Sequence, residues 1–144
     1  VRSSRILQGG QSGVSISNYS TIQIEECHIS YNTLSGVEVK QGADITIHWC
    51  QIQFNSQHGI LLGEKSKGLI VGCEINNNNL CGIELRSDEE PLISHNRLEY
   101  NQVGLKVLEN TRAKVEENRF AKNEKGAILK PFLCKVIFKG NEIA

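Results

Sequence analysis

Two glutamates of this 144-residue chain could form the carboxylate pair that glycoside hydrolysis uses. Glu38 and Glu84 occupy the same position in repeats that lie two apart, so we expect their backbones to be separated by roughly 9.5 Å. That separation lies near the upper end of the spacing of an inverting carboxyl pair. Leu61 lies between them, however, and each glutamate is followed two residues later by a cation, Lys40 or Arg86. We therefore expect a solvated charged surface and not a catalytic pair.

Cysteine and histidine side chains are the next candidates, because together they form zinc sites. Cys27, Cys50 and Cys73 recur at 23-residue intervals, which predicts one cysteine in each successive layer. Layers about 4.8 Å apart hold parallel Cβ atoms further apart than the roughly 3.8 Å of a disulfide, so we expect free, buried thiols. The four histidines fall at different positions of the repeat and cannot converge: His28, His48, His58 and His95. The sequence thus predicts neither a metal site nor a cofactor.

The densest acidic cluster, Asp88-Glu89-Glu90, offers oxygen ligands of the kind that Ca²⁺ prefers. A calcium site needs several such ligands, and the equivalent positions of the two preceding repeats are Gly42-Ala43 and Lys65-Ser66. Since neither repeat adds a carboxylate there, we expect an exposed acidic turn without a metal ion.

All of these residues are positioned by an internal repeat that runs through the chain. A glycine marks each repeat, at intervals of 23, 23, 23, 22 and 22 residues: Gly13, Gly36, Gly59, Gly82, Gly104 and Gly126. Apolar residues follow each glycine one and three positions later, which is the alternation of a β-strand with one buried face. Two more apolar positions per repeat, rich in β-branched residues, predict two further strands. Helical and leucine-rich repeats need a different apolar spacing.

The pattern predicts an all-β fold, a right-handed parallel β-helix of about six coils of 22 to 23 residues with three short strands per coil. We call residues at equivalent positions in successive coils a file, and the file of Ile29, Ile52 and Ile75 should stack in the interior. Residues 1–144 are predicted to form a single domain. Because the chain lacks Met and begins partway round a coil, we expect it to belong to a longer protein.

Asparagines recur just after the third predicted strand of each coil, at Asn32, Asn55, Asn78, Asn101 and Asn123. Asn tolerates the left-handed backbone of a sharp corner, and stacked Asn side chains can hydrogen-bond from coil to coil. A second series continues the cysteine file: Asn96, Asn118 and Asn141. We expect both series to be structural amide ladders.

The charge balance excludes some classes of partner. Sixteen basic and sixteen acidic side chains give a formal net charge of zero, which removes the electrostatic basis for binding nucleic acid or an anionic membrane. No apolar segment approaches the roughly 20 residues that span a bilayer, and no secretory leader is visible. An odd number of cysteines argues against a complete disulfide framework. We therefore expect an intracellular location, in the cytoplasm or nucleus.

The motif from Gly82 to Asn101, a glycine with alternating apolar residues and spaced asparagines, resembles the parallel β-helix repeat of pectate-lyase-like proteins. That repeat occurs in polysaccharide lyases and hydrolases, in carbohydrate-binding and sugar-hydrolysis domains, and in intracellular proteins without a known reaction. The segment Pro91-Leu92-Ile93-Ser94-His95-Asn96 is similar to segments of the β-helix domains of F-box substrate receptors. This resemblance implies a non-catalytic scaffold that recognises the client of a ubiquitin ligase. The alternative is a carbohydrate-binding or carbohydrate-active domain.

The outer face of the first strand in each repeat is the predicted binding surface, because aliphatic side chains there accompany charged ones. Its residues are Glu38, Lys40, Leu61, Glu84, Arg86, Lys106 and Leu108. In the last repeat the same alternation predicts that Ile128 faces outward and Leu129 inward. We expect a protein or peptide partner, with a glycan as the alternative ligand. An exposed Trp49 could stack a sugar ring, although we expect it to be packed into a corner.

Overall fold

The computed structural model describes all of residues 1–144 and contains nineteen β-strands and no helix. The strands form three sheets, and each strand lies beside the strand three places further along the chain. The chain therefore winds through the three sheets in turn and returns to the first one coil later. All pairings are parallel, so the fold is the predicted parallel β-helix. None of its segments is a helix of the length and hydrophobicity that crossing a bilayer requires.

Each sheet takes one strand from every coil. The first sheet contains β2 (Val14–Ile16), β5 (Val37–Val39), β8 (Ile60–Leu62), β11 (Cys81–Leu85), β14 (Val103–Val107) and β17 (Ile128–Leu129). The second sheet contains β3 (Thr21–Glu25), β6 (Asp44–His48), β9 (Lys67–Val71), β12 (Leu92–Ser94), β15 (Arg112–Glu116) and β18 (Lys135–Lys139). The third sheet contains β1 (Arg5–Leu7), β4 (His28–Ser30), β7 (Gln51–Gln53), β10 (Glu74–Asn76), β13 (Arg97–Glu99), β16 (Arg119–Ala121) and β19 (Glu142–Ile143).

The interior is filled by vertical files of aliphatic side chains in the predicted register. Ile29 pairs with Ile52, and Ile52 pairs with Ile75. All three have no exposed surface, and Leu98 and Phe120 continue the file. Burying a large aliphatic side chain contributes about 1.5–3 kcal/mol, so every added coil stabilises its neighbours through each file. The predicted stacking of the three isoleucines is confirmed.

Two asparagine ladders run along corners of the interior, as predicted. Asn32 donates from Nδ2 to Oδ1 of Asn55 at 2.9 Å, and Asn55 donates in the same way to Asn78 at 3.0 Å. The Asn55 Oδ1 also accepts the backbone N–H of Asn32 at 3.2 Å. In the second ladder Asn96 donates to Asn118 at 3.1 Å. The amides therefore satisfy backbone groups at corners where the sheets end.

At the corner occupied by the first ladder, the residue with a left-handed backbone in each coil is the one immediately before the asparagine. Positive φ angles occur there at Tyr31 (58°), Phe54 (56°), Asn77 (58°), Tyr100 (58°) and Lys122 (54°). The prediction that the ladder asparagines themselves supply the left-handed backbone was wrong. The ladder asparagines are buried, apart from half-buried Asn123, whereas the preceding side chains project from the corner and are partly or largely exposed.

The last coil departs from the predicted register by one residue. Ile128 pairs with Leu105, and Leu129 pairs with Lys106. Ile128 consequently packs against the core, whereas Leu129 is 53% exposed. The prediction that Ile128 faces outward and Leu129 inward was wrong.

A difference in corner length explains this shift. The corner from Asn101 to Gly104 is one residue shorter than the four-residue step from ladder asparagine to glycine in the preceding coils. In the last coil the step from Asn123 returns to four residues and ends at Ala127. Ala127 therefore takes the place of the glycine, and Gly126 lies outside the glycine file with a φ of 131°.

Candidate functional site

The seven residues predicted to form a binding surface lie on the outer face of the first sheet. One file runs along it in this order: Glu38, Leu61, Glu84 and Lys106. A second file, two residues later in each coil, runs beside it: Lys40, Gly63, Arg86 and Leu108. We call these two files the first-sheet face. Its charged side chains gather into two groups, one around each glutamate.

The first group is an exposed ion pair. Lys40 Nζ lies 3.2 Å from Oε1 of Glu38, and Ser12 Oγ donates a hydrogen bond to Oε2 of Glu38 at 3.1 Å. Both members of the pair retain contact with solvent. Exposed pairs of this kind contribute roughly 0–1 kcal/mol to stability, so this pair is more relevant to the surface than to the fold.

The second group surrounds Glu84, which is only 3% exposed although it points away from the core. Arg86 donates from Nε and Nη2 to Oε2 of Glu84 at 3.1 and 2.9 Å. Lys106 Nζ lies 3.9 Å from Oε1, and His58 Nε2 lies 3.6 Å from Oε2. The prediction of a solvated carboxylate was wrong, because these neighbouring side chains cover it.

The second file has no side chain between the two groups, because the residue there is Gly63. A Cβ at Gly63 would lie 2.8 Å from the carbonyl oxygen of Val39 in the preceding coil, so a larger residue does not fit. The result is a shallow depression of about 260 Å³ between the two ion pairs, and half-buried Leu61 forms part of its wall. We call this depression the Gly63 notch.

His58 and Cys81 adjoin Glu84 and were not predicted as site residues. The backbone N–H of Cys81 donates to Nδ1 of His58 at 3.2 Å. Since Nδ1 accepts, the proton of the neutral ring is on Nε2, which faces Glu84. The potential ligand atoms of His58, Cys81 and Glu84 all lie within 4.8 Å of one another. The four histidines do not converge, as the sequence predicts; the cluster instead joins one histidine to a cysteine and a glutamate.

A regular spacing in the sequence could have revealed this cluster. In two coils, the residue before the repeat glycine reaches a glutamate that lies 26 residues later, on the next coil. Ser12 reaches Glu38 in this way, and His58 reaches Glu84. This interval is the sum of one 23-residue repeat and the three residues that separate the position before the glycine from the outward-facing position of the first strand. Such contacts join neighbouring files and are not visible within any single file.

The protonation states in this cluster argue against nucleophilic chemistry. Burial lowers the pKa of His58, and the charges of Arg86 and Lys106 add to this effect while Glu84 opposes it. Burial, together with the nearby Glu84 carboxylate, raises the pKa of Cys81 to about 11, and the charge of Lys106 opposes this shift. At neutral pH the imidazole is therefore neutral and Cys81 is a thiol. A nucleophilic cysteine requires a thiolate in an electropositive setting, which this arrangement does not supply.

The same contacts make the cluster a poor cation site. The Nδ1 lone pair of His58 already accepts the N–H of Cys81, and its Nε2 carries the proton. The Glu84 carboxylate is already paired with Arg86 and lies close to Lys106. A metal ion would have to displace each of these partners and deprotonate the thiol. The cluster is better described as a closed polar network that fixes one half of the first-sheet face.

The acidic turn is less isolated than predicted. Glu64 and Glu109, from the two neighbouring coils, line one depression of about 160 Å³ together with Asp88. The prediction that no neighbouring coil contributes a carboxylate was wrong, because it compared only strictly equivalent positions. Lys65 and Arg86 line the same depression and offset part of its negative charge.

Trp49 is exposed and not packed into the interior of a corner. Its side chain is 60% exposed, and its backbone is left-handed with a φ of 53°. The ring lies over Gly72 of the next coil, where an added Cβ would come within 2.6 Å of it. The prediction of a packed tryptophan was wrong.

Comparison with known proteins identifies one match. The sequence model of a right-handed β-helix region matches residues 35–144, which is most of the chain. No curated protein and no solved structure matches significantly.

Proposed function

The chain belongs to the right-handed β-helix family, and on that basis we propose that it is a non-catalytic binding module whose first-sheet face holds an extended segment of a partner protein. The observation that carries this proposal is the Gly63 notch. It is a recess in a charged surface, and the side chain of Leu61 gives it one accessible apolar wall. In this proposal one apolar side chain of the partner enters the notch.

The two charged groups give the notch the layout of a small protein interface. In protein interfaces, the residues that contribute most of the binding energy typically lie in apolar recesses. The polar groups around such a recess exclude water from it. Glu38 and Lys40 lie on one side of the notch, and Glu84 and Arg86 lie on the other. Because both pairs are internally neutralised and Glu84 is nearly buried, the accessible groups of Glu38, Lys40 and Arg86 select a partner by hydrogen bonding and orientation more than by net attraction.

The same geometry argues against the carboxylate pair as a hydrolytic site. Glu38 and Glu84 lie on alternate coils, with Leu61 between them in the same file. Each carboxylate is paired with a cation, and Glu84 is nearly inaccessible to a substrate. A general acid and a water-activating base must both reach the substrate.

The resemblance to F-box substrate receptors suggests the class of partner. The proposed ligand is an extended segment of a client protein, presented to a ubiquitin ligase in the cytoplasm or nucleus. A rigid solenoid suits this role, because its long surface can order a flexible segment without changing shape itself.

The proposal can be tested with peptides selected from a random displayed library against the immobilised protein. We expect Leu61→Ser to weaken the selected peptides about tenfold, the effect of losing one apolar contact. The matched control is Leu69→Ser, since Leu69 is also half-buried and faces outward, but on the second sheet. Isothermal titration calorimetry measures both variants. If every selected peptide binds Leu61→Ser as tightly as the natural protein, or if the library yields no binder, the proposal is rejected.

A carbohydrate ligand is the second candidate, and the exposed Trp49 favours it. Aromatic rings with one free face stack well against sugar rings, and Trp49 is 60% exposed. A glycan array probed with the natural protein and with Trp49→Ala distinguishes the two candidates. Glycan binding that Trp49→Ala abolishes and Leu61→Ser leaves intact would favour a carbohydrate-binding domain.

A further inference from the structure

The largest depression of the molecule lies at the corner between the third and first sheets, away from the Gly63 notch. Its volume is about 440 Å³, and its lining includes two aromatic rings, Phe54 and Tyr100, with several amide side chains between them. The residues at this left-handed corner form one file, which we call the corner file: Gln8, Tyr31, Phe54, Asn77, Tyr100 and Lys122. Three of its six members are therefore aromatic.

The aromatic members of the corner file form a stack with one ring missing. Tyr31 and Phe54, on adjacent coils, stack with ring centroids 5.3 Å apart and planes within 9° of parallel. Asn77 occupies the next coil, and Tyr100 the one after. Phe54 and Tyr100 are thus two coils apart, roughly 9.6 Å, which is twice the stacking interval of adjacent coils. One planar aromatic ring, stacked at this interval on each of them, would therefore fit between Phe54 and Tyr100.

Both walls of this space are held in place and accessible. Phe54 is fixed on one side by Tyr31 and is 43% exposed. Lys122 Nζ donates to Oη of Tyr100 at 3.0 Å and lies 5.3 Å from the centre of its ring, and Tyr100 is 49% exposed. Fixed walls reduce the ordering cost that a ligand must otherwise overcome.

The amides around the space suit a peptide backbone. Asn78 and Asn101 are committed to the buried ladder. Asn77, Asn79 and Gln102 line the same depression; Asn79 is exposed, and Asn77 and Gln102 are half-buried. A carboxamide can both donate to a carbonyl and accept from an N–H, which is the pairing that an extended peptide requires.

We propose that this depression is a second binding site, which takes a planar aromatic side chain of an extended peptide between Phe54 and Tyr100. The inserted ring completes a four-ring stack, and the surface amides hold the peptide backbone on either side. The site does not depend on the first-sheet face, so Leu61→Ser should leave it unchanged.

The structure supplies a variant that closes the site from within. Asn77→Phe places a ring of the chain's own in the gap, and the left-handed backbone at this position already carries Tyr or Phe at three other coils. The variant is therefore compatible with the fold. Asn77→Ala is the matched control, because it removes the same amide but leaves the gap open. Phe54→Ala removes one wall and tests the site independently of Asn77.

Amide chemical shifts measured by NMR test the proposal with a blocked Ala-Trp-Ala tripeptide as the probe, and with Ala-Leu-Ala and methyl glucopyranoside as comparisons. We expect saturable shifts at Asn77, Asn79 and Gln102 with the Trp peptide. Affinity should fall about tenfold or more in Asn77→Phe and Phe54→Ala, and stay within about threefold in Asn77→Ala, because stacking supplies most of the binding. No saturable shifts, or unchanged binding to Asn77→Phe, overturns the proposal. Binding of the glucoside in place of the Trp peptide overturns it in favour of a sugar.

Discussion

Replacing Asn78 by Ala removes one carboxamide from the middle of the first asparagine ladder. Its Nδ2 donates to the carbonyl oxygen of Ile52 at 3.2 Å and to Oδ1 of Asn101 at 3.1 Å. Its Oδ1 accepts the backbone N–H and the Nδ2 of Asn55 at 3.2 and 3.0 Å. The substitution therefore deletes four hydrogen bonds at a residue that is 2% exposed.

The expected decrease in the free energy of unfolding follows from the hydrogen bonds that each partner of Asn78 loses. The backbone N–H of Asn55 has no other acceptor, and a buried donor left without a partner costs about 1–3 kcal/mol. The other three groups each lose one bond, which is worth about 0.5–1.5 kcal/mol in net terms. We expect the free energy of unfolding to fall by about 3–5 kcal/mol, a large part of the total for a domain of this size. Asn79→Ala, on the exposed neighbour, should change it by less than about 0.5 kcal/mol.

Urea denaturation followed by circular dichroism measures both variants, with an unchanged m-value as the check that the denatured state is the same. Hydrogen exchange adds a local measurement, because the Asn55 amide should lose protection in Asn78→Ala before the strands on either side do. A stability of Asn78→Ala within about 0.5 kcal/mol of the natural protein would show that the ladder hydrogen bonds contribute little to stability.

Three further predictions concern the first sheet. Because burial lowers the pKa of His58, the unfolded chain binds the proton more strongly than the folded protein does, and stability should fall as pH drops below about 6.5. Thermal unfolding at pH 7 and pH 5 measures this fall, and the decrease in melting temperature should be smaller in His58→Asn than in the natural protein. With its pKa raised to about 11, Cys81 should resist alkylation by iodoacetamide at pH 8 in the folded protein, whereas the more exposed Cys134 should react. Mass spectrometry measures the two alkylation rates, and equal rates would contradict a buried, protonated Cys81 thiol. Gly59→Ala should lower the melting temperature strongly, because its Cβ would lie 2.6 Å from a backbone carbonyl of the next coil, whereas Gly10→Ala, with nothing within 4 Å, should not; similar melting points would contradict the coil packing.

The fold could be predicted because the same pattern of residue types recurs in nearly every coil. The glycine file, the isoleucine file and the asparagine file all give the same register, so an error in one is corrected by the others. The last coil shows the limit of this argument. There the interval from Gly104 to Gly126 imitates the preceding interval of 22 residues, and only the strand pairing reveals that Ala127 is the equivalent residue.

The candidate site was less predictable, because it depends on contacts between different files. The alternation correctly gives Glu84 an outward direction, but outward does not mean solvated once Arg86 and His58 lie over it. The contact between His58 and Cys81 involves a backbone N–H, which no residue-type pattern records. The missing ring at Asn77 likewise appears only when the corner residues are known to project outward.

The central claim is that successive coils lie directly over one another, and methyl NOE spectroscopy tests it most directly. With isoleucine methyl groups labelled, Ile52 should show strong NOEs to both Ile29 and Ile75, which flank it in the adjacent coils. Ile29 and Ile75, two coils and roughly 9.6 Å apart, should show at most a very weak one. Absence of the two strong NOEs, with these methyl groups in contact with other residues, would contradict the account.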